Sequence, residues 1–250
     1  MLQSIFAIKT GMTQAWDNNG RRWSVTKCHV ADNLVVEAQP FSQDHQEKKI
    51  YILGFGKKKL KNMKKPLRTK IEKSGFSFGV RYLRGVQAKN EAVDLKPGDR
   101  VTIDQVLEVG DVVMVRGITK GRGFAGAMKR HGFAGGPRTH GQSDRARAVG
   151  SIGAGSTPGR VFKGKKMPGH YGQETKTIKG LVVLHIDQDK KEVWLSGPVP
   201  GSKFSWLQII PSGQKKKVSL DAKASNIELP ATPAEPESQS QKTEQTEDKK

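Results

Sequence analysis

Residues 121–172 read GRGFAGAMKRHGFAGGPRTHGQSDRARAVGSIGAGSTPGRVFKGKKMPGHYG, one fifth of a 250-residue chain, and contain too few bulky apolar side chains to pack against themselves. From Lys120 to Lys179 there are thirteen Lys or Arg, two acids (Asp144 and Glu174) and fourteen glycines, a local net charge of +11. Cations at that density repel one another, and glycine loses more conformational entropy on ordering than any other residue. The segment is therefore expected to be ordered by a partner outside the chain.

The rest of the chain says what kind of partner. The overall net charge is +20, with further cations across residues 57–73 and a Lys215, Lys216, Lys217 run. Such a surface seeks a polyanion, and nucleic acid is the first candidate because each Lys or Arg on a phosphate releases condensed counterions. Anionic membrane competes less well, since no basic amphipathic helix with a wide apolar face is present and no run approaches the roughly 20 apolar residues of a membrane span. The one cysteine, Cys28, lies in an apolar-alternating run and reads as a small buried hydrophobe in a reducing compartment. Strand-like residues 2–9 open the chain in place of a secretory or transit signal, so the expected location is the cytoplasm.

Strand patterns occur at residues 3–9, 22–30, 49–53 and 111–116, then again at 180–187, 192–196 and 205–210. The DNNG at 17–20, the KPGDR at 96–100 and the DQDK at 187–190 supply turns. Helices are predicted at 65–74, with Pro66 in the first turn and Gly75 past the end, and at 125–130. The resulting expectation is a mainly β protein, a barrel or sandwich with a few short helices, into which a long irregular basic glycine-rich extension is inserted between strands. Its parts are a first portion at 1–119 carrying a basic helical insert at 57–75, the extended loop at 120–179, the remaining strands at 180–212, and a disordered tail at 213–250. The tail's polar, Pro- and Glu-rich composition has little to bury.

Enzyme chemistry finds no footing. GRGFAGA (121–127) has G-x-G-x-x-G spacing after a strand pattern, but no βαβ repeat follows and Arg122 stands where a small residue is usual. GKK (164–166) lacks the Ser or Thr that would hold magnesium. His131, His140 and His170 lie in a cationic neighbourhood that opposes a metal ion, and Ser143, Ser151 and Ser156 have no elbow context or placed carboxylate. No cofactor or metal is expected.

RNA explains more of the composition. Glycine lets backbone approach backbone and exposes N–H groups to phosphates, Arg adds bidentate forks, and Phe124, Phe133, Phe162 and Tyr171 can stack on bases or anchor the loop. DNA reading by helix-turn-helix, zinc finger or basic zipper has no matching pattern. A folded RNA offers crevices that an extended cationic loop can thread, ordering as it binds.

Six collinear blocks then name a family: FAIKTGMTQAWDNNGRRWSVT (6–26), LGFGKKK (53–59), RYLRG (81–85), GRGFAGAMKRHGFAGGPRTHG (121–141), GSIGAGSTPGRVFKGKKMPGHYG (150–172) and GPVPG (197–201). They closely resemble the large-subunit ribosomal protein L-three family in its shorter bacterial form. The resemblance implies a translation-factor-like β-barrel on the outer face of the large subunit, whose extension reaches toward the peptidyl transferase centre. It implies direct binding of large-subunit ribosomal RNA, a part in nucleating early assembly, contacts with ribosomal proteins of the L-fourteen and L-nineteen families, and no catalysis. Carried over by position, the RNA-binding residues would be Lys120, Arg122, Lys129, Arg130, His131, Arg138, His140, Arg145, Arg147, Arg160, Lys163, Lys165, Lys166 and His170. Two positions depart from the family pattern. Arg145, Ala146 and Arg147 stand where many bacterial members have an aromatic-His-Arg run, and His170 stands where some have a methylated glutamine. The alternative function is a basic RNA chaperone or regulator acting outside the ribosome.

Overall fold

The computed structural model describes residues 2–30, 32–43, 46–88, 95–221 and 224–225. Among these, the strands are β1 (Ile5–Trp16), β2 (Arg22–His29), β3 (Asn33–Gln43), β4 (Gln46–Lys58), β5 (Gly79–Gln87), β6 (Arg100–Val101), β7 (Asp111–Ile118), β8 (Phe124–Ala125), β9 (Gly169–His170), β10 (Thr175–Asp187), β11 (Glu192–Ser196) and β12 (Trp206–Lys215). Two α-helices join them, α1 (Lys65–Lys73) and α2 (Ala127–His131). The chain is mainly β with little helix, as the strand patterns predict.

Six of the strands close into a barrel in the order β1-β12-β7-β10-β11-β2, every neighbouring pair antiparallel. Register explains why it closes. Residues opposite one another share a face, and the apolar set is matched around the ring: Ile5 to Ile209, Ile209 to Val115, Leu181 to Val113, Val183 to Leu195, Val193 to Cys28. All of these are buried, and each large side chain so removed from water contributes about 1.5–3 kcal/mol. Closure leaves the ring without an edge. The register shifts at Lys9/Gly11 along the β1–β2 pair and at Ile178/Leu181 along the β10–β7 pair, irregularities of the kind that bend and twist a strand.

The described residues between 33 and 101 build a second unit, a sheet in the order β5-β4-β3-β6 with α1 against it. The 49–53 pattern belongs to β4 of this sheet and not to the barrel. Neither β3 nor β5 was expected, because Pro40 interrupts the first and paired Arg and Gly residues break the alternation of the second (GVRYLRGVQ). Ile71 of α1 is fully buried among Leu34, Val36 and Val80, and Ser74 ends the helix by donating its hydroxyl to the Val36 carbonyl at 2.7 Å.

One apolar core runs through both units, from Val113, Val183 and Leu207 to Val35, Tyr51 and Leu53. Aromatic rings line the junction: Phe6 stacks on Phe55 at 4.1 Å between centroids, and Trp206 meets Phe55 at 4.9 Å and Tyr82 at 5.8 Å. Asn33, fully buried, completes the backbone ladder there by accepting from Phe6 N–H at 3.1 Å and donating to Phe6 C=O at 3.0 Å. Beside it Asp32 joins Lys57 of the sheet (3.4 Å) to Lys191 of the β10–β11 turn (3.0 Å).

The C-terminal boundary differs from the expected start of disorder at 213. Strand β12 continues to Lys215, Lys216 N–H donates to Gly110 C=O at 2.8 Å, and Leu220 bridges Asp17. Val218 and Leu220 explain this: they pack on an apolar patch outside the barrel formed by Val25, Leu184 and Trp194 with Trp23. Residues 226–250 of the expected tail lie outside the described residues. No helix among the described residues is long and apolar enough to cross a membrane.

Candidate nucleic-acid interface

Strand β7 ends at Ile118 and β10 begins opposite it, with Thr175 paired to Ile118. The extension therefore spans residues 119–174, shorter at its C-terminal end than the expected 120–179, because Thr175, Lys176 and Thr177 are barrel residues paired to β7. We call this segment the arm.

The arm has a neck with its own ladder. Thr119 N–H donates to Glu174 C=O at 2.9 Å, Arg122 N–H to Tyr171 C=O at 2.8 Å and Tyr171 N–H to Gly123 C=O at 2.9 Å, and β8 pairs with β9 just beyond. The two strands approach so closely that a Cβ on Gly172, whose φ is +81°, would collide with the Lys120 carbonyl. Helix α2 follows for five residues and ends at Gly132 in the left-handed conformation (φ +74°), with Lys129, Arg130 and His131 in its last turn. Arg130 and His131 turn back onto the neck: Arg130 Nη1 donates to Met167 C=O at 2.9 Å, and His131 Nε2 lies 3.0 Å from the same oxygen. A smaller crossing sits farther out, where Gly136 N–H donates to Ala146 C=O at 3.1 Å and a Cβ on Gly136 would stand 2.9 Å from the Arg145 carbonyl.

Beyond that crossing the ladder of backbone N–H donors stops. No N–H from residue 149 to residue 164 donates to a backbone carbonyl among the described residues, and every residue from 150 to 166 is exposed. Donors left this way are satisfied by water or by a ligand. The expectation of an arm ordered only by its partner thus narrows to this tip, since the neck supplies its own hydrogen bonds.

The charge tells the same story. Residues 119–174 hold eleven Lys or Arg against Asp144 and Glu174, yet none of the ion pairs among the described residues involves an arm residue. Of the fourteen residues expected to touch RNA, Lys120, Arg122, Lys129, Arg138, His140, Arg145, Arg147, Arg160, Lys163, Lys165, Lys166 and His170 are exposed. Arg130 and His131 are half-buried on Met167. Arg122 lies 5.0 Å over the Tyr171 ring and Arg160 5.9 Å over Phe162, so two of the expected stacking aromatics also carry arginines. Phe124 and Phe162 are 81% and 62% exposed, rings that the arm does not bury. The three histidines do not converge: His131 is on α2, His140 sits at φ +60° in the middle of the arm, and His170 is on β9 opposite Phe124.

One residue at the arm's root escaped the sequence reading. Lys9 follows Ile5 and Ala7 on the inward face of β1, and its ammonium donates to Val199 C=O (3.0 Å) and Gly201 C=O (3.3 Å) of the loop closing that end of the barrel. Burial, then the charge of Lys120, holds its pKa below the ordinary lysine value. The signal was a cation at an inward position of an apolar alternation. What this surface can do is bind anions: it presents guanidinium forks, ammonium groups and open N–H donors.

The family profile described as Ribosomal protein L3 matches residues 82–198, which includes the whole arm. The large ribosomal subunit protein uL3 of Persephonella marina is 41% identical over 209 residues, covering 84% of this chain and 89% of that protein. The uL3 proteins of Dehalococcoides mccartyi and Herpetosiphon aurantiacus are 39% and 40% identical, each covered over its full length by 86% and 87% of this chain. The chain belongs to the ribosomal protein L3 family. Membership in the ribosomal protein L3 family makes it a structural protein and not an enzyme. The match covers from 89% to 100% of the length of these relatives, and the family profile spans the arm together with β7, β10 and β11.

Proposed function

We propose that this protein is a structural constituent of the large ribosomal subunit in the cytoplasm and that its arm binds large-subunit ribosomal RNA directly. The observation that carries the reading is the arm's unmet chemistry: eleven cations with no ion pair and a tip whose N–H groups have no backbone acceptor among the described residues. Phosphates supply both needs at once. The barrel, of the translation-factor kind, fixes the root, and the arm extends into RNA near the peptidyl transferase centre, where it braces RNA without catalysing a step. Early binding of this kind helps to nucleate assembly, and neighbouring proteins of the L-fourteen and L-nineteen families flank the barrel. The RNA contacts are the exposed cations of the arm, with Arg130 and His131 shaping it from within.

Sedimentation of cell extract through a sucrose gradient at high salt tests this. The protein is expected to travel with the large subunit and with translating ribosomes. Retention at the top of the gradient would overturn the ribosomal reading in favour of an RNA chaperone or regulator that acts elsewhere.

A further inference from the structure

Residues 197–205 (GPVPGSKFS) connect β11 to β12 across the barrel end from which the arm springs. The fit is close: a Cβ on Gly117 would stand 3.0 Å from Pro200 Cγ, and one on Gly201 2.9 Å from the Ile118 carbonyl. Within this loop Phe204 has φ +65° and is 68% exposed. A bulky side chain in the left-handed region is strained, and such strain persists only where the surroundings fix the backbone. They do so here. Phe204 N–H donates to Lys9 C=O at 2.7 Å, Lys9 N–H to Ser205 C=O at 3.0 Å, and Ser205 N–H to Ser202 C=O at 3.2 Å, while the Lys9 ammonium holds Val199 and Gly201.

The backbone is thus pinned, but the fold leaves most of the ring in solvent. Phe204 makes no ring–ring contact among the described residues, and a cation, the Lys203 ammonium, lies 5.2 Å from the ring centroid. Exposed Ile118 (55%) and Lys120 lie at the adjoining arm root, and Lys120 is near enough to act on Lys9. An exposed aromatic framed by cations and continuous with a cationic arm matches the chemistry of an unpaired nucleotide, with a π-face for the base and ammonium groups for its phosphates.

We infer that Phe204 is a stacking platform for an unpaired RNA base at the root of the arm, with Lys203 placed for the adjoining phosphate. This rests on the RNA-binding reading of the arm. Full-length protein bound to transcribed large-subunit ribosomal RNA is irradiated with ultraviolet light, and crosslinked peptides are identified by mass spectrometry. A crosslink on the peptide carrying Phe204, beside those of the arm, is expected. Phe204→Gly should weaken binding about 5- to 150-fold with an unchanged salt slope, as loss of one stacked base does, while Phe204→Trp retains affinity. Because glycine accepts the left-handed backbone, Phe204→Gly should keep or raise the Tm, which separates a contact role from a structural one. Arm crosslinks without one at Phe204, together with wild-type affinity for Phe204→Gly, would overturn the inference and leave the arm reading standing. Absence of all RNA crosslinks and of salt-dependent binding would overturn both. A fall in Tm accompanying the loss of affinity would return Phe204 to a structural role.

Discussion

Lys165→Ala and Arg130→Ala each remove one positive charge from the arm, and a charge-only account expects both to flatten the salt dependence of RNA binding by about one counterion. The geometry separates them. Lys165 is exposed and has no ion pair among the described residues, so its ammonium is available to a phosphate. One such contact contributes roughly 0.7–0.9 to the slope of log K against log salt, or about 3-fold of the affinity lost between about 50 and 200 mM salt. Lys165→Ala should show that loss and leave the free protein unchanged. Arg130 is half-buried with Nη1 on Met167 C=O at 2.9 Å, and a hydrogen bond from a charged donor is worth about 1.5–3 kcal/mol. Arg130→Ala should therefore loosen the neck in the absence of RNA, and amide exchange at Tyr171, whose N–H is held by Gly123, should accelerate about 10- to 150-fold. Arg130→Lys should retain most of the slope but not the protection. The assays are filter binding of large-subunit ribosomal RNA over a salt series and hydrogen exchange on the free chain. Equal slope changes in the two alanine variants, with unaltered exchange at Tyr171, would refute the distinction.

Three further outcomes test the scaffold. Burial works to raise the pKa of Asp32, but the hydrogen bonds and charges of Lys191 and Lys57 outweigh it and hold the carboxyl below its usual value, so its stabilisation is present at neutral pH and lost as pH falls through the native value. Both ammonium groups are exposed, so Asp32→Asn should cost only about 1 kcal/mol at neutral pH and progressively less in acid; a pH-independent loss in thermal melts would count against the ion pairs. Burial is the main cause that pushes the Cys28 thiol up to about 12, so iodoacetamide at neutral pH should label it only in denaturant, and rapid labelling of the native protein would contradict its place in the core. Ending the chain after Lys215 strips half-buried Val218 and Leu220 from Trp23, Leu184 and Trp194 and should cost about 2 kcal/mol in chemical denaturation, whereas ending it after Ser225 should cost little; equal effects would mean that the segment adds nothing.

The barrel strands were legible because runs of β-branched and aromatic residues lie between clear turn signals: β11 was bounded to the residue after the DQDK turn, and α1 was placed from Pro66 and Gly75. The second sheet was not legible. Its strands meet the barrel on one side and α1 on the other, so their burial follows two partners, and β5 offers only GVRYLRGVQ, in which arginines and glycines replace the alternation. Charge and glycine content marked the arm, yet two features needed coordinates. One is the inward turn of Arg130 and His131 onto a carbonyl 36 residues or more along the chain, and the other is the pairing of 119–125 with 169–174 that forms the neck. Composition counts charges but does not say which are already engaged.

That division of engaged from free groups is the physical content of the arm. Ion pairs in the scaffold join elements, as Asp32 joins the sheet to the barrel and Glu108 holds Lys215 at the end of β12. Within the arm, backbone N–H groups near the root are paired across the neck, whereas those of residues 149–164 have no backbone acceptor among the described residues. Eleven cations with no ion pair among the described residues add nothing to the arm's own stability through charge, because like charges disfavour the compact state. The gradient from a self-bonded neck to an unsatisfied tip instead aims the arm: the neck limits the directions available to the tip, which reduces the entropy that RNA must remove on binding. Loosening the neck should then weaken RNA binding even where no phosphate contact is lost, which makes Arg130 a residue that acts on RNA through the shape of the arm.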